Sequence, residues 1–584
     1  MHWRPLIALL ACICALDSAI SVKAQNPTLV ERICVYDGLK HNSLLSAMNE
    51  CGERGLPVIP PTFSGQEPAN AKNPVVWDFR QPEVLKRLTP VTEFGAKGDA
   101  EMRSDGASVS GTTTFTATSS LFVRGRDEGK AIIITGAGPE NASLTTTIKA
   151  IDSPNRITLE APAAFTASGL TYWYGTDNTL AMQTAYGSRK PLFLPPGKFL
   201  MTGTVKGSDP LLLAGAGPQS VIINDTTVFS VHGTNGHFLD NFRMQAATKL
   251  APILPRSFPT PHAGTPITVD RIGTGIGYQP EMGDDDIWSK VSKQQQEQQI
   301  GPTLTMSSDG IHIYRITGDL VSIVLFDTQF SEVVRCDFRG GKNFVGGIAL
   351  WHSPGSGAVN RRNSIRDNTI RYASFSGIAW ATAEDILIKN NVVEYNGESG
   401  LKNFSSFKDG TYNKRVEVVG NQSRRNHYDG LDMSQSFPHS NSQVADSIVS
   451  GNLSSSNFRT GLYVDGIGWK LIDNTIEING LTGLSADVSN SVISGNVLTH
   501  NNTLHDQAHH QMLIGPARPS LNNIFERNRI EADGASGAAI KLSPLSTGNQ
   551  LRDNVATGGT LFQIEAKPAE SHGNSDSRGR YPDR

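Results

Sequence analysis

Asparagine sets the rhythm of this chain. Between Arg366 and Val555 it precedes one short extended run after another, at Asn368, Asn391, Asn421, Asn452, Asn474, Asn496, Asn528 and Asn554. Successive positions lie about 22 to 32 residues apart, the period range of a solenoid. A second motif repeats between them, a small or polar residue, then Gly, then an aliphatic residue. It occurs at Ser376-Gly377-Ile378, Ser399-Gly400-Leu401, Asp429-Gly430-Leu431, Thr460-Gly461-Leu462 and Thr482-Gly483-Leu484. A unit this short cannot bury its own apolar face, but stacked units share one core. The shortest units have room for three brief strands and three turns. Side chains alternate in and out along a strand, so Ile378, Leu401, Leu431, Leu462 and Leu484 form an inward ladder. The asparagines stack at one turn, each amide donating to the next. The expected fold is all-β, a right-handed parallel β-helix. The L-x-x-L-x-L spacing of a leucine-rich repeat is absent.

The ends of the chain read differently. His2 and Arg4, the apolar run Leu6 to Ala15, and Val22-Lys23-Ala24 before Gln25 have the layout of a secretory signal over 1–24. The apolar run is too short for a membrane span. A secreted or periplasmic protein is expected. The formal net charge of −3 gives no basic footprint for nucleic acid. Residues 25–90 form an N-terminal segment, in which Cys34 and Cys51 are placed to form a disulfide. Cys336 is expected to be reduced inside the coils. Residues 566–584 are polar and expected to be disordered.

Val91-Thr92-Glu93-Phe94-Gly95-Ala96-Lys97-Gly98-Asp99 resembles the opening of the rhamnogalacturonase/epimerase-like pectate lyase family. Thr176-Asp177-Asn178-Thr179, the helix-like Leu180 to Tyr186, Leu192-Phe193-Leu194-Pro195-Pro196-Gly197 and Leu212-Leu213-Ala214-Gly215-Ala216-Gly217 continue the likeness in the same order. The resemblance implies a β-helix over 91–105 and 175–565, with a helix covering its N-terminal end. Asp177 is expected to cap that helix and Gly187 to end it. Two inserts interrupt the match. Residues 106–174 read as a small all-β module, a spacer or a carbohydrate binder. Residues 252–305 read as a long loop, with an acidic run at Asp284, Asp285 and Asp286.

The chemistry is sought on the outside of the strand that follows each Gly-aliphatic pair. The second residue after each Gly is Ala379, Lys402, Asp432, Tyr463 and Ser485; the fourth is Ala381, Phe404, Ser434, Asp465 and Asp487. Coils about 4.8 Å apart turn these into two columns. The turn before Asp432 adds Arg424, Arg425, His427, Tyr428 and Asp429. Candidate catalytic residues are Asp432, Asp465, His427, Asp429 and Lys402. Candidate substrate-binding residues are Arg424, Arg425, Tyr428, Tyr463 and Asp487. His510 reads as a surface residue.

Asp432 and Asp465 are one coil and two residues apart, about 8 Å along the backbone, which suits two carboxylates that hydrolyse a glycosidic bond with inversion. Elimination or epimerisation would instead use Lys402 or Arg425 to neutralise a uronate, His427 as base, and Tyr428 or Tyr463 as acid. Asp432, Asp465 and Asp487 also have the chemistry to hold Ca²⁺. Asn426-His427-Tyr428-Asp429-Gly430-Leu431-Asp432 loosely resembles the Asn-Thr-Asp-Gly-x-Asp line of polygalacturonases, which implies a catalytic carboxylate role for Asp429. The following coils lack that family's paired Asp-Asp, Gly-His-Gly and Arg-Ile-Lys. The expected partner is an acidic or pectin-like polysaccharide, cleaved by hydrolysis or elimination. The alternatives are a uronan epimerase and a non-catalytic glycan-binding β-helix. A phage tailspike shares the fold, but the export signal argues against it.

Overall fold

The structure is a computed structural model. It describes residues 85–119, 122–139, 142–233, 237–247, 301–341, 347–351, 359–381, 383–404, 413–433, 446–503, 510–516, 519–531, 538–544, 546–558, 560–564, 568, 570–576 and 579–580, with the strand pieces 34–35, 58–59, 255–258 and 267–270. The signal, the proposed Cys34–Cys51 bridge and the acidic run at Asp284 lie outside the described residues.

The chain winds as a parallel β-helix with three walls. One coil shows the plan: Ala383–Lys389 forms the first wall, Val392–Glu394 the second and Leu401–Phe404 the third. Each strand pairs in parallel with its counterpart one coil on, Val392 with Gln422 and Leu401 with Leu431. Ile378, Leu401, Leu431, Leu462 and Leu484 are in register along the third wall and fully buried, as their spacing requires.

Two asparagine ladders hold the corners. Asn368, Asn391, Asn421, Asn452, Asn474, Asn496, Asn528, Asn554 and Asn574 pass a side-chain hydrogen bond from coil to coil, each amide donating to the next side-chain oxygen. The second ladder was not read from the sequence. It runs from Asn396 through Asn426, Asn457 and Asn479 to Asn501 and Gln511. Its signal is a constant five-residue step from the first ladder, Asn391 to Asn396 and Asn421 to Asn426. The residue before each asparagine rung turns the corner in the left-handed region, as do Gly420 at φ 66° and Arg425 at φ 55°. An isolated left-handed residue is tolerated when the turn is otherwise fully bonded.

The glycine of the Gly-aliphatic pair has a separate cause. A Cβ on Gly430 would lie 2.0 Å from Ser454 Oγ, 2.6 Å from Asn457 Nδ2 and 2.7 Å from the Gly461 carbonyl oxygen. The second ladder packs directly on this position, and only a hydrogen atom fits.

Thr179–Gly187 is the cap helix. Its Met182, Ala185 and Tyr186 enter the end of the coil core. Asp177 accepts hydrogen bonds from the Thr179 N–H and hydroxyl (2.9 and 2.7 Å), while Asn178 holds the N-cap position and bonds instead to Lys97 and Leu200. Gly187 is the last helical residue.

The first insert is a closed six-stranded antiparallel barrel from Glu101 to Gly175, slightly wider than the 106–174 module expected. Its core is separate, built on Phe115, Ile132, Ile148 and Tyr172. It sits on the outside of the second wall, where Ala100, Ile133 and Trp173 pack against Leu200, Val221 and Ile223.

Three expectations are corrected. The second insert ends earlier than residue 305, because Thr303–Ser307 is already a third-wall strand paired with Thr227–His232. The 566–584 segment is not disordered throughout, because Glu570–His572 pairs in parallel with Gln550–Arg552 and Asn574 adds a rung. His510 is buried rather than on the surface. Cys336 is reduced and interior, and burial pushes its thiol up to about 12.

Candidate functional site

The third wall presents the expected columns. Lys402 pairs in register with Asp432, Asp432 with Tyr463, and Asp465 with Asp487. The alternation is clean. Leu431 and Met433 point inward and are fully buried, while Asp432 lies between them facing out. Asp465 and Asp487 face out one step further along their strands, Asp465 after the inward Val464 and Asp487 between the inward Ala486 and Val488.

Outward does not mean exposed here. Asp432, Asp465 and Asp487 are 5%, 2% and 5% accessible, and Lys402 is 8%. Charges at this depth must be compensated. Lys402 Nζ forms ion pairs with Glu398 and, at 3.2 Å, with Asp432 Oδ2. Burial pulls the lysine pKa down, but Glu398 and Asp432 outweigh it, and the net shift is upward. Ser376, one coil earlier, donates its hydroxyl to the other oxygen of Glu398. Glu398 was missed by sequence reasoning. It lies before the Gly-aliphatic pair, in the turn from the second wall, and the turn brings it back over Lys402. Its signal was the four-residue step to Lys402.

Asp429 enters from the same turn one coil on. Its Oδ1 accepts the Thr460 N–H at 2.8 Å. Burial is the largest influence on its carboxyl and lifts the pKa. Arg459 pulls it down and Asp432 pushes it up, leaving it at about 6. Arg459 lies over the Tyr428 ring, 4.3 Å from the centroid. The His427 main chain donates to Asn396 O at 2.9 Å, and its ring is buried in the turn.

The structure therefore gathers Glu398, Lys402, Asp429, Asp432, Tyr428 and Arg459 around one turn, with Tyr463, Asp465 and Asp487 continuing the column. Arg424 and Arg425 lie across the turn. Arg424 ends the second-wall strand and pairs with Glu394 at 2.6 Å. Arg425 stacks over Tyr395 and donates to its hydroxyl at 2.7 Å. Among the described residues, no three of His, Cys, Asp or Glu group as a metal site. The Ca²⁺ set of Asp432, Asp465 and Asp487 does not form.

A second ionisable cluster lies on the outside of the first wall. Glu332 takes a hydrogen bond from Tyr314, an ion pair with Arg366 at 2.7 Å and a contact with His312 at 3.5 Å. Burial alone would raise the Glu332 pKa, yet His312 and Arg366 bring it down to about 2. This is a carboxylate locked by its neighbours, a structural ion pair inside the protein.

No family model matches the chain, and no curated protein matches it. Solved structures do. The receptor-binding domain of the siphovirus 9NA tailspike aligns with TM-score 0.49 and 15% identity, over 67% of this chain and 73% of that one. The A-module of a mannuronan C-5 epimerase from Azotobacter vinelandii aligns with TM-score 0.41 and 16% identity, over 68% and 96%. The catalytic unit of an α-1,3-glucanase from Streptomyces thermodiastaticus aligns with TM-score 0.37 and 12% identity, over 82% and 89%.

Proposed function

We propose that this chain is a carbohydrate-active enzyme that cleaves an acidic polysaccharide by hydrolysis on the outside of its third wall. One observation carries the reading. Asp429 has a carboxyl held near pH 6, beside Asp432, which is itself ion-paired to Lys402. Glycoside hydrolysis needs one carboxylic acid to protonate the leaving oxygen and one carboxylate to activate water. Asp429 is the acid in this reading. Asp432 and Asp465 hold and activate the water, and Lys402 fixes Asp432. Tyr463 and Asp487 extend the column along the axis, as an extended polymer would require. The secretory-type layout of residues 1–24 supports an enzyme of the periplasm or the outside of the cell.

Elimination or epimerisation is the second reading, supported by Lys402 standing charged beside Asp432 with Tyr463 in register on the next coil. Incubation with pectate, alginate and other uronans separates the readings. Hydrolysis gives reducing ends alone, elimination adds ultraviolet absorbance, and epimerisation changes stereochemistry without new ends. Full activity in Asp429→Asn, Asp432→Asn and Asp465→Asn would remove this site. Glycan binding without any turnover would make the protein a binder.

A further inference from the structure

The joint between the barrel and the coils forms an open cleft of about 730 Å³. That is within the size range of small-ligand sites. Its charged lining comes from both bodies: Asp99 and Glu101 from the barrel side, Lys198 and Arg243 from the second wall. The carboxylates are already used. Asp99 pairs with Lys130 at 2.9 Å and accepts from the Thr176 N–H and hydroxyl, and Glu101 pairs with Arg103 at 2.8 Å.

The two cations are not neutralised. Among the described residues neither Lys198 nor Arg243 has an ion-pair partner, and Arg243 Nε is buried without a hydrogen-bond acceptor. Lys198 lies 5.7 Å from the Trp173 ring centroid. Register places Lys198 beside Val221 and Val221 beside Arg243, so the backbones of the two cations sit about 10 Å apart along the wall, two strand spacings that two long side chains can bridge. Gln219 and Gln245 add neutral amide groups to the same lining. A buried guanidinium N–H without an acceptor costs stability, and an anion with several acceptor oxygens would satisfy it.

We propose that this joint is a second, non-catalytic site for an acidic sugar, with Lys198 and Arg243 taking the carboxylate and the glutamine amides the hydroxyls. Only the choice of a uronate as ligand rests on the functional reading above. The site shares no residue with the third-wall cluster. The barrel then serves as one side of the glycan site, seated on the coils by the apolar contact of Trp173 and Ile133.

The test is hydrogen exchange of the full chain with four-residue oligogalacturonate and oligomannuronate. At least one oligomer is expected to slow exchange in Gly197–Leu200 and His237–Gln245. The effect should survive Asp429→Asn/Asp432→Asn and weaken about tenfold in affinity in Lys198→Gln/Arg243→Gln, the scale of a lost charge-assisted hydrogen bond. Lys198→Gln alone, at an exposed position, gives the same direction should the double variant fold poorly. Lack of protection with both oligomers overturns the proposal, as does protection unchanged in the variants. Equal protection by sodium sulfate at the same concentration also overturns it, leaving a small-anion site. Protection in Leu431–Met433 and turnover report the functional reading separately, so either can fail alone.

Discussion

Lys402 Nζ stands 3.2 Å from Asp432 Oδ2 across one coil, with both side chains almost wholly buried. Thirty residues separate them in sequence, and one strand spacing separates them in space. Removing the ammonium would strip Glu398 and Asp432 of the buried cation they share. Lys402→Met is expected to destabilise the protein by about 3 kcal/mol, read from urea unfolding, and to reduce turnover at least 100-fold. Lys402→Arg should keep most of the stability. A Lys402→Met variant with native stability would mean that the pair is not closed in solution.

Asp429 gives the pH dependence. Its folded pKa of about 6 lies above the ordinary carboxyl value of 3.8. The folded state therefore binds the proton more tightly, and stability falls as pH rises from about 4 through about 6. Asp429→Asn should flatten that part of the stability profile. As the acid, Asp429 must be protonated, so turnover is expected to decline above about pH 6. A rate that rises through pH 6 would instead make it the base.

The first ladder can be broken at one rung. Asn421 donates its main-chain N–H and its amide to Asn452 Oδ1, at 2.8 and 3.0 Å. Its oxygen accepts the same two groups of Asn391, and its amide reaches Ile388 O at 2.9 Å. Asn421→Ala leaves several of these buried groups unpaired and is expected to cost about 3–5 kcal/mol. Thermal unfolding measures it.

Two glycines should respond to very different degrees. Gly430→Ala drives a Cβ into Ser454, Asn457 and a carbonyl, and is expected to destabilise by more than about 3 kcal/mol. Gly451 has φ 61° with nothing within 4 Å of its built Cβ, and Asn tolerates that conformation. Gly451→Asn should cost about 1 kcal/mol or less.

Arg424→Ala tests the border of the site. Its pair with Glu394 is partly exposed, so the stability loss is expected to stay below about 1 kcal/mol. Turnover should change less than about twofold, because its partner lies on the second wall. A large loss of turnover would extend the site across the turn.

The winding of the chain was readable because it is periodic. A parallel stack must repeat its contacts every coil, so Asn368 to Asn554 and Ile378 to Leu484 write the register into the sequence. In-out alternation then placed Lys402, Asp432, Tyr463, Asp465 and Asp487 on one outer wall. The barrel was legible as β-rich text, but its closure and its seat on Leu200, Val221 and Ile223 were not.

What the sequence determined by itself was which residues face out on each strand, since that follows from a period of two and a fixed coil repeat. Tertiary structure decided what those residues meet. Glu398 closes on Lys402 because a turn folds back, and Arg424 stays on the second wall because the left-handed Arg425 bends the chain between it and Asp429. Turns carry no period, and burial depends on the neighbouring coils, so neither the pairing of Lys402 nor the lifted pKa of Asp429 exists until the coils are stacked.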